Sequence, residues 1–589
     1  MSPDVNPTPA TPEPRAKPLA KTEIAARLRQ AGEMLRLRGE SPYRASAYET
    51  GADALDELAE DLAVVVAEER LTALRGIGPS LAATISELVR TGRSANLDAI
   101  MGDLPAGLLE LSMAKLPGLT LRRIQTLHDR LGISSLEDLR QALASGAVET
   151  IKGFGPQTAT KLREGLARLE TAPARVLLVD ALEWTPRLLA HLRQVPAVMA
   201  AEIAGSIRRW VETVGDANLI VASRQPAEVI AALLAYPAVA RVLEHEPRWC
   251  RCRLSNGLTV TLTVEEPEKY AVGLILATGS TAHYRRLEER ARARGLALSK
   301  LSGDDEAAVY GQLGLPFIPP ELREDAGEIE AADGGDGFGD LITERDIRGM
   351  VHCHTVYSDG RNTVAEMAQA AASMGMAYIT ITDHSPAAAY AGGVKEDRLP
   401  EQWREIAEAE ARGPIKILRG TESDILRDGD LDYPRELLES LQIVIASIHE
   451  RHRMDAETMT ARLIRAMEQP VFKIWGHALG RLLLRREPIS CDVEKILDVV
   501  AAAPAAIEIN GSPHRLDLPA EWIRSARRRQ IKFVISTDAH STGELDYLKF
   551  GVALARRGGL RRSDVLNTLP VEEFMEAVRP RRTITAPDC

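Results

Sequence analysis

Val351-His352-Cys353-His354, Ile379-Thr380-Ile381-Thr382-Asp383-His384 and Ile417-Leu418-Arg419-Gly420-Thr421-Glu422 open a ladder that runs through the C-terminal half of the chain. It continues with Ile443-Val444-Ile445-Ala446-Ser447-Ile448-His449, Phe472-Lys473-Ile474-Trp475-Gly476-His477 and Phe533-Val534-Ile535-Ser536-Thr537-Asp538-Ala539-His540. Each segment is a short apolar run closed by His, Asp or Glu. Runs of this length, rich in β-branched residues, read as buried strands. Stretches such as Thr363–Met374, with helical patterning, separate them. Alternating strand and helix predicts a parallel sheet closed as a barrel. In barrels the C-terminal strand ends face the mouth. Six ends bearing imidazole or carboxylate therefore converge on one place, which is expected to hold metal.

The rest of the composition sets bounds. The chain has 589 residues, enough for several domains with their own cores. It is 45% hydrophobic and 27% charged, with a formal net charge of −11. That balance argues against a uniformly basic DNA-coating protein, but local basic faces remain possible. Five cysteines, scattered, do not make a disulfide framework and fit a reducing cytoplasm. Cys250 and Cys252 form an isolated C-x-C that reads as packing. No secretory leader or long apolar span is legible, so neither export nor a membrane partner is expected.

Residues 1–20 are rich in Pro, Thr and Ala and are expected to be a disordered tail. Helical patterning starts near Lys21. Between residues 70 and 170 a small unit recurs. Leu74-Arg75-Gly76-Ile77-Gly78-Pro79 and Ile151-Lys152-Gly153-Phe154-Gly155-Pro156 each precede a helix, and Leu116-Pro117-Gly118-Leu119-Thr120 is a degenerate copy. These resemble helix-hairpin-helix modules. Gly76, Gly78, Gly118, Gly153 and Gly155 would let the chain turn sharply, so that amides at the next helix start face a DNA phosphate. Such a contact reads the backbone rather than the bases.

The middle of the chain carries Gly205-Ser206-Ile207-Arg208-Arg209-Trp210, then Gly215-Asp216-Ala217-Asn218, and later Gly279-Ser280. This pattern resembles the palm of family X DNA polymerases. Gly39-Glu40-Ser41-Pro42-Tyr43-Arg44 resembles their N-terminal domain, and Leu315–Glu324 the segment after the thumb. The resemblance implies that Gly205, Ser206 and Arg209 hold a nucleotide triphosphate. It also implies three carboxylates for two Mg²⁺. Asp216 supplies the first, Asn218 stands at the second, and counting eighteen residues back from Gly279 puts Thr261 at the third. Hard cations bind through anionic oxygen, so Mg²⁺ occupancy of this palm is expected to collapse. Glu265 and Glu266 lie past the strand, poorly placed to substitute. Trp210 departs from the small residue usual there.

The C-terminal ladder, with Ser358-Asp359-Gly360, Gly480-Arg481, Glu508-Ile509-Asn510 and Arg515-Leu516-Asp517-Leu518, resembles the PHP (polymerase and histidinol phosphatase) domain. It closely resembles the version attached to bacterial family X polymerases. The implied fold is a distorted (β/α)7 barrel related to the TIM barrel. The implied metal ligands are His352, His354, Asp359, His384, Glu422, His449, His477, Asp538 and His540, holding up to three divalent ions bridged by Glu422. Mixed imidazole and carboxylate ligation suits Mn²⁺, Zn²⁺ or Fe²⁺ better than Mg²⁺. Asp538, His540 and Arg481 are the implied catalytic residues, with Arg481 as a planar fork for phosphate. Asp383 reads as a residue that orients a ligand. Met350, where the family commonly has Asp, removes a carboxylate behind the ligands, and Ala478-Leu479 alters the segment after His477. His283, His452 and His514 fall outside the ligand pattern.

These readings give a multidomain chain: helix-hairpin-helix regions at 21–100 and 101–170, an α+β palm and thumb at 171–325, a linker at 326–345 and the barrel at 346–589. The expected function is a DNA-binding, metal-dependent phosphoesterase, a 3′→5′ exonuclease or 3′-end processing enzyme of DNA repair. Its polymerase half is expected to have lost, or nearly lost, nucleotidyl transfer. Two alternatives stay open: an active gap-filling repair polymerase with an accessory exonuclease, and a small-molecule phosphatase. The expected partner is gapped DNA or a DNA 3′ end, bound by a monomer in the bacterial cytoplasm at the nucleoid.

Overall fold

The computed structural model describes residues 21–580 apart from Gly39, Arg75, Lys115, Pro504 and residues 57, 59–61, 103–105, 172–174 and 451–453. The expected tail at 1–20, and His452, lie outside the described residues, as do Gly39 and Arg75 of the motifs quoted above. The chain divides into two compact units, Met1–Ala174 and Arg175–Cys589.

The first unit is helical, and its hairpin turns repeat at the level of single hydrogen bonds. Ile77 N donates to Leu74 O (3.1 Å), Leu119 N to Leu116 O (3.0 Å) and Phe154 N to Ile151 O (3.0 Å). Gly76, Gly118 and Gly153 share a positive φ of 84°, 84° and 97°, a region L side chains rarely adopt. A helix follows each turn: α1 (Pro79–Thr91), α2 (Leu121–Leu131) and α3 (Pro156–Thr171). Gly78, Thr120 and Gly155 accept the first helical bonds, from Ala82, Ile124 and Ala159. A Cβ at Gly78, Gly153 or Gly155 would meet nothing within 4 Å, so these turns are open to a ligand. Arg123 donates to Gly118 O (2.6 Å) and Gly153 O (3.0 Å), tying the degenerate turn to the third one.

The second unit begins with β1 (Val176–Leu177) and continues through β2 (Ala200–Ala204), β3 (Thr213–Val214), β4 (Asp216–Ala222), β5 (Val239–Glu246), β6 (Trp249–Leu254) and β7 (Thr259–Glu265). A five-stranded palm-like sheet runs in the order β2-β4-β7-β6-β5, and β1 pairs with β3 beside it. A helical segment follows, with a core of Leu287, Tyr310, Ile318 and Ile329. The stretch read as a linker is folded onto that segment. It contains α4 (Glu328–Asp333), and Ile329, Ala332, Phe338 and Leu341 enter the same core. Its Gly and Asp content suggested a joint, but four apolar side chains at buried positions override that.

The barrel strands are β8 (Gly349–Cys353), β9 (Tyr378–Ile381), β10 (Lys416–Asp424), β11 (Ile443–Ser447), β12 (Ile474–Trp475), β13 (Ala506–Asn510) and β14 (Lys532–Ser536). They form one seven-stranded sheet in sequence order, and every pairing is parallel. Beyond the strand ends, His354 N donates to Ala539 O (2.9 Å) and Ala539 N to His352 O (3.2 Å), which draws the first and last strands together at the mouth. The ladder had supplied six of the seven; β13 completes the set. Strand interiors such as Val351, Ile379, Ile445, Ile507 and Val534 are fully buried, each stabilising the barrel by about 2 kcal/mol. Outside lie α5 (Val364–Ser373), capped by Thr363 in a capping box with Glu366, α6 (Ala520–Arg528) and α7 (Leu548–Arg557). Among the described residues, no helix is long and apolar enough to cross a membrane.

Palm and barrel pack against each other within this unit. Trp210, held at φ 57°, sets its ring edge-on to Phe550 of α7 at 5.7 Å. Glu212 lies between Arg481 Nη2 (3.4 Å) and Arg557 Nη2 (4.0 Å). Burial alone would raise the Glu212 carboxyl, but Arg557 and Arg481 outweigh it and hold it below its ordinary range.

Candidate metal centre at the barrel mouth

The strand ends deliver their side chains to one buried place. The register of β8 against β9 shifts by one residue between Met350 and Cys353. There the side-chain hydroxyls of Thr380 and Thr382 accept from His352 N (3.1 Å) and Cys353 N (3.0 Å), replacing the regular ladder. The loop after β8 then folds back to bring Asp359 in. Gly360 is required for that return, since a Cβ there would sit 2.5 Å from the His354 carbonyl carbon. Asp383 fixes the same loop. It accepts from Thr355 N (2.7 Å), Thr355 Oγ1 (2.6 Å), Ser358 Oγ (2.5 Å) and Gln402 Nε2 (2.7 Å), so it orients the shell rather than pointing into it.

The ligand candidates fall into three overlapping groups: His354, Asp359, His384 and His540; His352, His354, Glu422 and Asp538; and His384, Glu422 and His449. Within each group the donor atoms lie within 4.8 Å of one another. Glu422 belongs to two groups, the position of a bridging carboxylate. His477 completes the set, with Nε2 2.8 Å from Glu422 Oε1 and 3.2 Å from His449 Nε2. The structure thus brings all nine sequence-predicted positions together.

The cluster fits a bound cation on its own chemistry. His352 Nε2, both ring nitrogens of His354 and Glu422 Oε2 are buried and make no hydrogen bond among the described residues. Leaving such atoms unsatisfied costs free energy unless something else holds them. His352, His477 and Asp538 also keep positive φ, at 65°, 22° and 53°. Strained backbone at non-glycine residues persists where the surroundings impose it, often at functional sites. Burial, then the charges of His540 and His384, push His354 down to about 3, leaving it neutral. Burial would raise Glu422, but His449, His352 and His384 hold it well below the carboxylate range. Burial would lower His449 and His540, yet Glu422 and Asp359 respectively carry them to about 10. The anionic carboxylates and the neutral His354 are in the states that ligation needs, and His352, His449 and His540, whose protons the neighbouring carboxylates favour, would release them to a cation.

Outer partners fix the ligand rings. His352 Nδ1 donates to Glu508 Oε1 (2.5 Å). Glu508 also accepts from Ser536 Oγ (2.7 Å), His477 N (2.5 Å) and Asn510 Nδ2 (3.2 Å). His449 Nδ1 meets Asp424 Oδ1 at 3.0 Å. Glu508, quoted in the motif but given no role, and Asp424, which the sequence reading did not single out, are functional candidates. Glu508 stands between Ile507 and Ile509, and Asp424 lies two residues after the ligand Glu422. Met350 is packed in the barrel core, as are Ala478 and Leu479.

Arg481, the arginine expected to bind phosphate, is hydrogen-bonded within the chain. Arg481 donates through Nε to Arg515 O (3.0 Å) and through Nη2 to Leu516 O and, at 3.4 Å, to Glu212. That guanidinium is committed to the loop and the palm. Arg515 reaches the cluster, with Nε 3.3 Å from Asp538 Oδ2, and its buried Nη1 has no hydrogen-bond partner among the described residues. His283, outside the ligand pattern, is a core residue held by Glu328 (2.6 Å) and Tyr310 (3.1 Å).

The palm positions form a different picture. Asp216 begins β4, Asn218 follows on the same face, and Thr261 of β7 lies opposite Asn218. Arg251 of β6 is in register with Thr261 and donates to its Oγ1 at 3.4 Å. Asn218 Nδ2 donates to Asp216 Oδ1 (3.2 Å). Glu265 is paired with Ala222, at the far end of the strand. Arg209, expected on the triphosphate, donates to Glu324 Oε1 (2.9 Å) and Thr278 O (2.6 Å). Gly205 has φ 64°, and a Cβ there would press on Asn218, 2.7 Å from its Nδ2.

Comparison with known proteins agrees with this architecture. The PHP domain profile matches residues 351–512, and the DNA polymerase beta thumb profile matches 273–324. A helix-hairpin-helix domain matches 20–94, and a SAM-like helix-hairpin-helix tandem matches 110–168. These modules make it a DNA-binding chain. A "Probable phosphatase" of Thermoanaerobacter sp. (strain X514) is 30% identical over 237 residues, covering 37% of this chain and 89% of that protein. One from Vibrio parahaemolyticus is 28% identical over 236 residues, covering 37% of this chain and 88% of that protein. "DNA polymerase/3′-5′ exonuclease PolX" of Bacillus subtilis is 32% identical over 567 residues, covering 94% of this chain and 98% of that protein. The chain therefore belongs to the bacterial family X DNA polymerases that carry a C-terminal PHP phosphoesterase domain.

Proposed function

We propose that this chain is a 3′→5′ exonuclease or 3′-end phosphoesterase of DNA repair, and that its palm has lost, or nearly lost, nucleotidyl transfer. The observation that carries this reading is a contrast inside one unit. Nine ligand positions converge at the barrel mouth, while the palm offers Asp216 beside Asn218, Thr261 and the cationic Arg251. Arg251, paired with Glu244 at 3.2 Å, brings no carboxylate to the expected Mg²⁺ position.

His352, His354, Asp359, His384, Glu422, His449, His477, Asp538 and His540 would hold up to three ions of Mn²⁺, Zn²⁺ or Fe²⁺. Such ions, when bound, supply an acidified water and Lewis-acid stabilisation of the phosphate. Glu508 keeps His352 in one tautomer and orientation. Arg515, beside Asp538, binds a non-bridging phosphate oxygen and orients the scissile bond. The helix-hairpin-helix unit supplies sequence-independent grip on gapped DNA or a free 3′ end. The chain is taken to act as a monomer in the bacterial cytoplasm, at the nucleoid.

Release of nucleotides from a 3′-labelled duplex with Mn²⁺ tests this reading. His352→Ala and Asp538→Asn should each abolish release. Parental rates in both variants would refute it.

The relative named as a polymerase and exonuclease favours a second reading, gap filling with an accessory nuclease. That reading requires primer extension lost on Asp216→Ala and kept on His352→Ala. A small-molecule phosphatase is less well supported, because the relatives called phosphatases match about the barrel alone.

A further inference from the structure

An exposed aromatic side chain stands at the rim of the barrel mouth. The loop after β9 carries His384 and then closes on itself. Val394 N donates to His384 O (2.8 Å), Ala388 N to Ser385 O (3.1 Å) and Gly393 N to Ala388 O (3.2 Å). Within it lies a single 3₁₀ turn, Ala389–Ala391. Ala388 and Ala391 are each 1% exposed and anchor that turn, whereas Tyr390 is 54% exposed.

The Tyr390 ring leans on the cluster. Its centroid is 6.1 Å from that of His384 and 6.1 Å from that of His449, with the planes tilted by 58° and 57°. Both imidazoles belong to the ligand set. Burial at the hydroxyl end, then Glu422, Asp424 and Asp359, push the phenol up, and Arg515 acts the other way. The ring is therefore neutral. Covering its open face with a second flat ring removes apolar surface from water and adds a stacking contact.

Two guanidiniums lie within electrostatic reach of Tyr390. Arg515 follows β13 and stands beside Asp538. Arg486 follows β12, in a turn closed by the Leu482–Arg486 bridge and tied to the Arg515 loop by Leu483 N donating to His514 O (2.8 Å). Among the described residues the Arg486 guanidinium makes one hydrogen bond, from Nε to Gly480 O (2.9 Å), and no ion pair. Burial and then Arg515 push it down, with Tyr390 and Asp517 acting the other way. Three loops thus bring an aromatic face and two cations to one rim. A nucleotide strand offers the complement, since its bases stack and its phosphates carry the charge.

We propose that Tyr390 is a substrate-positioning residue whose ring stacks on the base of the 3′-terminal nucleotide, while Arg486 holds the phosphate next to the scissile one on Arg515. This rests on the reading of the barrel as a 3′-end phosphoesterase. Stacking tolerates any base, because every base has a π-face. The rim therefore favours an end that carries a base over one that lacks it, with little preference among the four bases.

Steady-state kinetics of the full chain with Mn²⁺ test this on two 5′-labelled single strands, one ending in an ordinary nucleotide and one in a tetrahydrofuran abasic residue. The parent should show a KM about tenfold lower for the ordinary end. Tyr390→Ala should raise that KM about tenfold, change kcat much less, and lose the discrimination against the abasic end. Tyr390→Phe and Tyr390→Trp should keep it. Bound Mn²⁺ and melting temperature in Tyr390→Ala should match the parent. Arg486→Gln should raise KM for both ends alike. The inference alone is overturned if the parent cuts both ends with one KM, if Tyr390→Ala still discriminates, or if Tyr390→Phe behaves like Tyr390→Ala. It is also overturned if the loss follows Mn²⁺ content, or if Arg486→Gln keeps the parent's KM. A parent that cuts neither end refutes the proposed function and this inference together.

Discussion

Asn218 and Thr261 stand opposite each other across the parallel β4–β7 pair, and Arg251 donates to the Thr261 hydroxyl at 3.4 Å. In a family X palm these are positions for carboxylates. A neutral amide, a hydroxyl and a guanidinium now occupy the space, with Asp216 the remaining acid. The parent should give no detectable primer extension with Mg²⁺ or Mn²⁺. The triple variant Asn218→Asp/Thr261→Asp/Arg251→Ser should gain divalent affinity by at least about tenfold, or ~1.4 kcal/mol. Extension assays on a gapped duplex check both. Efficient extension by the parent would show that the palm needs no second or third carboxylate.

Glu508 accepts from the His352 ring, from His477 N and from Ser536, so one buried carboxylate sets two ligands. Glu508→Gln keeps the shape and removes the charge. It should lower metal affinity or activity by roughly 10–100-fold. Added Mn²⁺ should recover part of the loss, whereas His352→Ala should stay inactive at any Mn²⁺ concentration. Metal titration of the exonuclease rate distinguishes the two.

Arg515 and Arg481 should behave differently on substitution. Arg515→Ala removes the guanidinium beside Asp538 and should reduce kcat/KM about 100-fold, ~2.7 kcal/mol, with little change in melting temperature. Arg481→Ala cuts the tie to Glu212 and to the Leu516 carbonyl. It should lower the melting temperature first and kcat/KM less. Equal kinetic losses without a thermal effect would restore Arg481 as the phosphate ligand.

The thumb carries a pH-dependent tie. Glu306 accepts from Arg208 (2.6 and 2.9 Å) and from the fully buried Arg323 (2.6 Å). Burial would raise its carboxyl, but Arg208 and Arg323 outweigh that and depress it. A carboxyl depressed in the fold stabilises above its unfolded value, and that contribution is lost as pH falls through the folded one. Glu306→Gln leaves Arg323 without its charge partner, at a cost of about 3 kcal/mol near pH 7. Urea unfolding should show a gap between parent and variant that narrows as pH drops below the ordinary glutamate range. A gap constant with pH would mean that the pair's charge is irrelevant.

Much of the barrel was legible because each strand ends in a ligand type after an apolar run. The nine positions converge because parallel strands send their C-terminal ends to one rim. What sequence hid depends on paths between elements. Glu508 looked like one polar residue in a strand, and only register shows it under His352. Sequence pointed to Arg481 as the fork, and only the fold shows Arg481 against the palm's Glu212 and Arg515 beside Asp538. Trp210 read only as a departure from a small residue, but Phe550, far along the chain, is its packing partner. Arg251 lies on a strand whose alternation gives no hint that it meets Thr261.

The most direct test is one assay on a gapped, 5′-labelled duplex with Mn²⁺, run with and without nucleotides. The account predicts shortened products in both, unaffected by Asp216→Ala and abolished by His352→Ala. Lengthened products with nucleotides, lost on Asp216→Ala, would contradict it and make the barrel an accessory to synthesis.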